Sequence, residues 1–272
     1  MSTVALTRPP IRVTQARVTR SEWIKFWSLR STVATMVVAA ALLIGIGLLA
    51  ASIFTGDTST TTTGAPPGPG SGASDPVSAS LAGVTFAQLV FGALGVLFMA
   101  SEYGTGQIRS SLAAVPKRLP VLWAKITVFA AVVFTVAFAA TAIAFTGGQA
   151  IIGDGGASWS DPGVARAVIG TAVVLTGSGI LGIGLGSLLR STPAAISTLF
   201  GVLFLLTGVA ELLLPDGWST ALQYLPSNAS SAFTAVTQQT DALTPWAGLA
   251  VFLGYLAAVI GAAAWRLKHS DV

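Results

Sequence analysis

Residues 101–111, SEYGTGQIRSS, set a Glu, a Tyr, two Gly and an Arg between two runs too apolar to be left in water. Side chains of these types suit charge-assisted hydrogen bonding and not bond making, and Gly104 and Gly106 would allow the chain to turn between them. Reactive chemistry is scarce elsewhere. The single histidine, His269, lies in the tail and there is no cysteine, so a Ser–His hydrolase, a thiolate metal site and a disulfide have no support. The sequence has no G-x-x-x-x-G-K-[ST] loop and no Gly-Lys pair, so no P-loop for ATP is expected. Ion-coupled carriers usually keep an ionisable residue in the bilayer. The apolar runs here hold at their centres only Gln88, Thr135, Thr141, Thr176 and Ser178, types that commonly hydrogen-bond to neighbouring helices. Glu211, near the end of one run, reads as an interfacial or loop-docking residue ahead of an ion carrier.

The elements that must position SEYGTGQIRSS follow from composition. Of 272 residues, 53% are hydrophobic and 9% charged, against about 25% charged in ordinary soluble domains; the mean hydropathy is +0.78. Six stretches reach the roughly 20 apolar residues that cross a hydrocarbon core: Val33–Phe54, Leu81–Ala100, Ile126–Phe145, Val164–Leu189, Ala194–Leu214 and Trp246–Trp265. Strand-period alternation is absent, so an all-α integral membrane protein with six transmembrane helices in one domain is expected. The first run is too long for a signal-peptide core and should stay in the mature chain. Asp75-Pro76, Asp161-Pro162, Thr192-Pro193 and Thr244-Pro245 each put a capping side chain before a proline, a favourable helix start. Trp246 and Trp265 suit two headgroup boundaries.

Charge sets the orientation. If six spans alternate, 13 of the 14 Lys and Arg residues fall on one side, with only Arg166 on the other. The opposite side holds Asp57, Asp75, Asp154, Asp161, Asp216 and Asp241. By the positive-inside rule the basic side is cytoplasmic, with both termini and SEYGTGQIRSS there. The net charge of +4 is then a topology signal, and no nucleic-acid partner is read from it.

The connecting segments differ. Residues 1–32 form a cytoplasmic tail that ends in an interfacial helix. Within it Trp23, Phe26 and Trp27 recur at helical spacing beside Lys25 and Arg30, a pattern that favours the headgroup layer; a plain anchor and a role in coupling both fit. The outer loop at 55–80 is Thr/Pro/Gly/Ser-rich and reads as flexible. The outer loop at 215–244 carries Trp218, Leu222, Tyr224, Leu225, Phe233 and Val236 and should hold short helices; its Asn228-Ala229-Ser230 fits a glycosylation sequon, a triplet frequent by chance. In the loop at 101–120, Gln107, Ile108 and Arg109 could form a short helix along the membrane, with Ile108 and Leu112 on its apolar face. Physics alone leaves that reading level with an ordinary basic loop. In the fourth run Gly182 and Gly186, with Gly179 nearby, leave one face nearly bare for close helix approach, within one subunit or at a dimer seam.

The layout resembles an ABC-2 type permease, the membrane subunit of an ATP-binding-cassette exporter. The resemblance spans nearly the whole chain: RSEWIKFWSLRST (20–32), six spans, EYGTGQIRSSLAAVPKRLPVLWAK (102–125) and an outer loop with YLPSNASSAF (224–233). In that family the loop after span two resembles E-Y-x-x-G-T-I-R and acts as a coupling helix that enters a cleft on the ATPase. Glu102, Tyr103, Gly106, Ile108 and Arg109 agree with it, and Gln107 stands where Thr is common.

The resemblance implies a permease subunit that moves an amphipathic substrate outward by alternating access. It implies no enzyme site and no cofactor on this chain, with ATP and Mg on two partner ATPase subunits. A second permease subunit, identical or related, and a bacterial plasma membrane are implied as well. Glu102, Tyr103, Gln107, Ile108, Arg109 and Leu112 would contact the ATPase, with Glu22 and Lys25 as weaker candidates. Gln88 in span two and Ser197, Thr198 and Thr207 in span five would face the substrate path. On that basis Glu102→Ala or Arg109→Ala should uncouple hydrolysis from transport. An ion-coupled carrier or channel, or a non-transporting membrane scaffold, is the alternative.

Overall fold

The computed structural model describes residues 14–54, 75–106, 119–213, 219–237 and 242–269. Every regular element among them is helical, as the lack of alternation requires. Six helices are long and apolar enough to span a membrane: Arg30–Ile53, Val84–Gly104, Leu119–Gly155, Val164–Leu189, Thr192–Ala210 and Pro245–His269, here spans one to six. The chain is an all-α, six-span membrane protein. A helix α1 (Gln15–Ser28) precedes them and breaks from span one at the single extended residue Leu29 (φ −89°, ψ 102°).

Boundaries moved where polar residues sit at helix ends. Span two runs on to Gly104, so Glu102 and Tyr103 lie inside a helix. Span three begins at Leu119 and not at Ile126, which takes Lys125 into the helix. At 37 residues it is about 55 Å long at 1.5 Å per residue, against ~30 Å of hydrocarbon. Its extra turns therefore project beyond the hydrocarbon. Span five is interrupted by a wide turn at Gly201–Leu205, the local unwinding that a single inserted residue produces.

The proline-linked caps behave unequally. Asp75 caps the short helix α2 (Pro76–Ser80) by accepting from Ser78 N at 2.8 Å, and Ser78 Oγ accepts in return from Asp75 N. Asp161 does not cap span four. That helix starts two residues beyond Pro162 behind Gly163, whose φ of 86° suits glycine, and Asp161 instead accepts from Ser158 N. Thr192 makes no side-chain cap either; Ser191 precedes it in extended conformation.

Span four is the hub, with 78% of its apolar window buried against 17% for span five and 22% for span six. Glycines let span two lie against it backbone to backbone. A Cβ at Gly95 would stand 1.9 Å from Gly179 O, and one at Gly182 2.3 Å from Gly92 O. A Cβ at Gly186 would stand 3.1 Å from Val96 O, and one on Gly179 would also meet the Phe129 ring. Across this seam Gln88 Nε2 donates to Ser178 Oγ at 2.9 Å, both groups being buried. Phe91, Phe98, Phe129, Leu122, Leu175 and Ile183 fill the core around it.

At the end away from α1, two loop helices dock on the bundle. Gln149 of span three donates to Pro76 O and Ser80 Oγ at 3.0 and 2.8 Å, which fixes α2. In the loop between spans five and six, Ser219–Leu222 and α3 (Pro226–Thr234) are helical. The Phe233 ring of α3 packs over the bare backbone of Gly170, and Gly248 lets the α3 backbone at Ala229 and the Ala232 methyl come close to span six. Arg166, the lone cation at this end among the described residues, donates to Phe233 O and, at 2.8 Å, to Ala235 O, so it closes the carbonyl end of α3. Asn228, the sequon residue, donates its amide to Leu222 O at 3.0 Å.

Candidate functional site

Three segments far apart in sequence bring four charges together at the α1 end of the bundle. On α1, Val18, Glu22 and Phe26 recur every four residues and form one buried stripe. Span two ends in the stripe Leu94, Phe98, Glu102, and span three opens with Leu122, Lys125 and Phe129. Each charge thus occupies a position in an apolar stripe, and helix packing carries it inward. Phe26, Phe98 and Phe129 meet edge-on or tilted with centroids 5.2–6.3 Å apart, and the charges sit beside this aromatic cluster.

Lys125 is the centre. Its ammonium is fully buried and donates to Glu22 Oε2 at 2.8 Å, to Glu102 Oε1 at 2.9 Å and to Phe98 O at 3.4 Å. It also lies 4.1 Å from the centroid of the Phe98 ring. Lys25 closes the ring from α1, at 2.9 Å from Glu22 Oε1 and 3.2 Å from Glu102 Oε1. Two carboxylates and two ammonium groups sum to zero, the condition under which charges tolerate burial. Burial alone would raise the Glu22 carboxyl, but the charge and hydrogen bonds of Lys125 and Lys25 outweigh it and hold Glu22 below its ordinary value. Burial likewise works to lower Lys25, while Glu22 and Glu102 raise it on balance.

Beside the tetrad, Tyr103 stacks under the guanidinium of Arg190, 5.4 Å from ring centroid to Cζ. Arg190 ends span four in the left-handed region (φ 55°), so this contact ties the ends of spans two and four. Glu102 Oε2 and the Tyr103 hydroxyl are buried without a hydrogen-bond partner among the described residues. Only Gly106, with φ 71°, uses the backbone freedom expected of the two loop glycines; Gly104 is the last helical residue.

The sequence-derived site therefore divides. Glu22 and Glu102 are 2% and 5% exposed, so both face into the chain and pair with its own lysines, where exposed partner contacts were expected. Lys25 is half-buried and Tyr103 partly so. Gln107, Ile108, Arg109 and Leu112 lie outside the described residues. Phe26 leaves the expected aromatic face, being fully buried, while Trp23 and Trp27 remain 46% exposed. Of the polar residues assigned to a path, Gln88 is buried against span four. Ser197 and Thr198 are exposed on span five, and Thr207 bonds to Ser227 in the loop between spans five and six. Among the described residues no group of three metal-ligating side chains forms.

The sequence matches no protein-family model and no curated protein.

Sequence reasoning missed Lys125 as the centre of the cluster. As one of several basic residues between two spans it read as a topology marker. The available signal was its place in the Leu122–Lys125–Phe129 stripe, three and four residues from large apolar neighbours.

Proposed function

We propose that the chain is the permease subunit of an ATP-binding-cassette exporter of the ABC-2 type, set in a bacterial plasma membrane with its basic end cytoplasmic. The observation that carries the reading is the buried tetrad. It welds α1 to the end of span two and the start of span three. A push on the loop at 107–118 would reach both flanking helices and α1 as one body, the requirement for a chain powered by another subunit.

In this reading Arg109, Ile108 and Leu112 grip the ATPase, with a charge-assisted contact and an apolar hold. Tyr103 and the tetrad transmit the load inward. Two such units rock against each other and release an amphipathic substrate outward past the docked α3 helix. ATP and Mg belong to the partner ATPases.

The burial of Glu102 changes which variant tests this. Glu102→Ala would leave Lys125 and Lys25 to share Glu22 alone and damage the joint itself, so Arg109→Ala is the cleaner probe. Tagged protein is drawn gently from native membranes with its bound partners. A stoichiometric ATP-binding subunit is expected with the wild type, and less of it with Arg109→Ala at equal permease yield. Absence of any ATP-binding partner across several detergents would overturn the reading.

A further inference from the structure

The helix α1 has two working faces, and the bundle uses one. Val18, Glu22 and Phe26 point inward. Arg20, Trp23, Ile24 and Trp27, spaced i, i+3, i+4 and i+7, lie on the opposite side, and there Trp23, Ile24 and Trp27 are 46%, 60% and 46% exposed. This inverts the usual order of a helix packed on a protein. Its acidic residue is buried against the bundle, while its largest apolar side chains face outward. The tetrad fixes that rotation, because turning the helix would withdraw Glu22 from Lys125. Exposed Leu29 and Arg30 continue the face into the first turn of span one.

We propose that this outward face binds anionic phospholipid. The two indoles, 5.9 Å apart, occupy the boundary between acyl chains and headgroups, where such rings are favoured. Arg20 and Arg30 bracket them and receive the lipid phosphates, forked guanidinium donors being suited to phosphate oxygens. The occupant follows from charge: the exposed rim of the face carries cations and no acidic residue, and Glu22 is out of reach on the far side. Zwitterionic lipid would satisfy the indoles equally and leave the excess positive charge uncompensated. The selectivity does not depend on the transport function proposed above.

The test uses the full chain in phosphatidylcholine bilayers that contain a small, equal fraction of brominated phosphatidylglycerol or brominated phosphatidylcholine. The fluorescence of Trp23 and Trp27 is isolated as the difference between the wild type and Trp23→Phe/Trp27→Phe. Basic residues near a membrane enrich anionic lipid on the order of fivefold each, so the brominated anionic lipid should quench this signal several-fold more strongly. Arg20→Gln/Arg30→Gln should bring that quenching down to the zwitterionic level, and Arg20→Lys/Arg30→Lys should retain most of the excess. Equal quenching by the two lipids in the wild type, or an excess that survives Arg20→Gln/Arg30→Gln, would overturn the proposal. Quenching by neither lipid would overturn it too, because another protein surface would then cover the face.

Discussion

Replacing Lys125 with methionine keeps the length of the side chain and removes one charge from a cluster that sums to zero. Lys25 would remain, 2.9 Å from Glu22 and 3.2 Å from Glu102, and can compensate one carboxylate. The other is left in a site where Glu22 is 2% exposed. Breaking a buried ion pair by removing one partner costs about 3–5 kcal/mol. On the scale of soluble domains of similar size each kcal/mol is worth about 2–4 °C, so the melting midpoint should fall by roughly 6–20 °C. Thiol dyes cannot report this in a chain without cysteine, but its seven tryptophans can, by intrinsic fluorescence in detergent. The diagnostic companion is Lys125→Met/Glu102→Gln, which removes the stranded carboxylate, keeps the Lys25–Glu22 pair and should recover at least half of the loss. A single variant that melts within about 2 °C of the wild type would refute the reasoning. So would a double variant no better than the single one, since the loss would then come from packing of the lysine stem.

The same cluster sets a pH dependence. Glu22 lies below its ordinary 4.5, so its contribution is complete above that value and is lost as pH falls through the lowered one; Glu22→Gln should flatten this acid limb of a melting curve. Lys25 lies above its ordinary 10.5, so its contribution is present below that value and fades as pH rises through the raised one, an alkaline limb that Lys25→Met should remove. Gly95→Val, whose Cβ would fall 1.9 Å from Gly179 O, should abolish the yield of monodisperse protein, while Gly208→Ala, in open space, should leave it unchanged. Arg166→Met gives up two donations to the end of α3, each worth about 1.5–3 kcal/mol for a charged donor; limited proteolysis within 219–237 should quicken roughly tenfold or more.

Hydropathy alone reveals the spans, because a bilayer accepts few other solutions. Their ends were harder to read for a physical reason. A helix continues past the hydrocarbon wherever its next turn still packs, so Glu102 and Lys125, taken as the edges of a loop, are helical and buried. A single charge reads as solvated until its partners are known, and here they stand 23 and 103 residues away from Lys125. The glycines of span four were legible as a bare face, yet only the structure identifies span two as the neighbour against it. Trp23, Phe26 and Trp27 share helical spacing, but which of them turns inward depends on where spans two and three lie. Asp161 failed as a cap because Gly163, two residues later, offers the chain a left-handed turn that the aspartate cannot.

The wide separation of the tetrad in sequence also imposes an order on synthesis. Glu22 leaves the ribosome 103 residues before Lys125, an interval of about 5–20 s at 5–20 residues per second. Throughout that time spans one and two are made and Lys25 is the only tetrad lysine present. The helix α1 can rest on the membrane surface but cannot settle into its final position until the start of span three arrives. Insertion of the third span is thus the event that closes the amino-terminal half of the protein, and a nascent chain stalled before residue 125 should still display Glu22 and Glu102 to water.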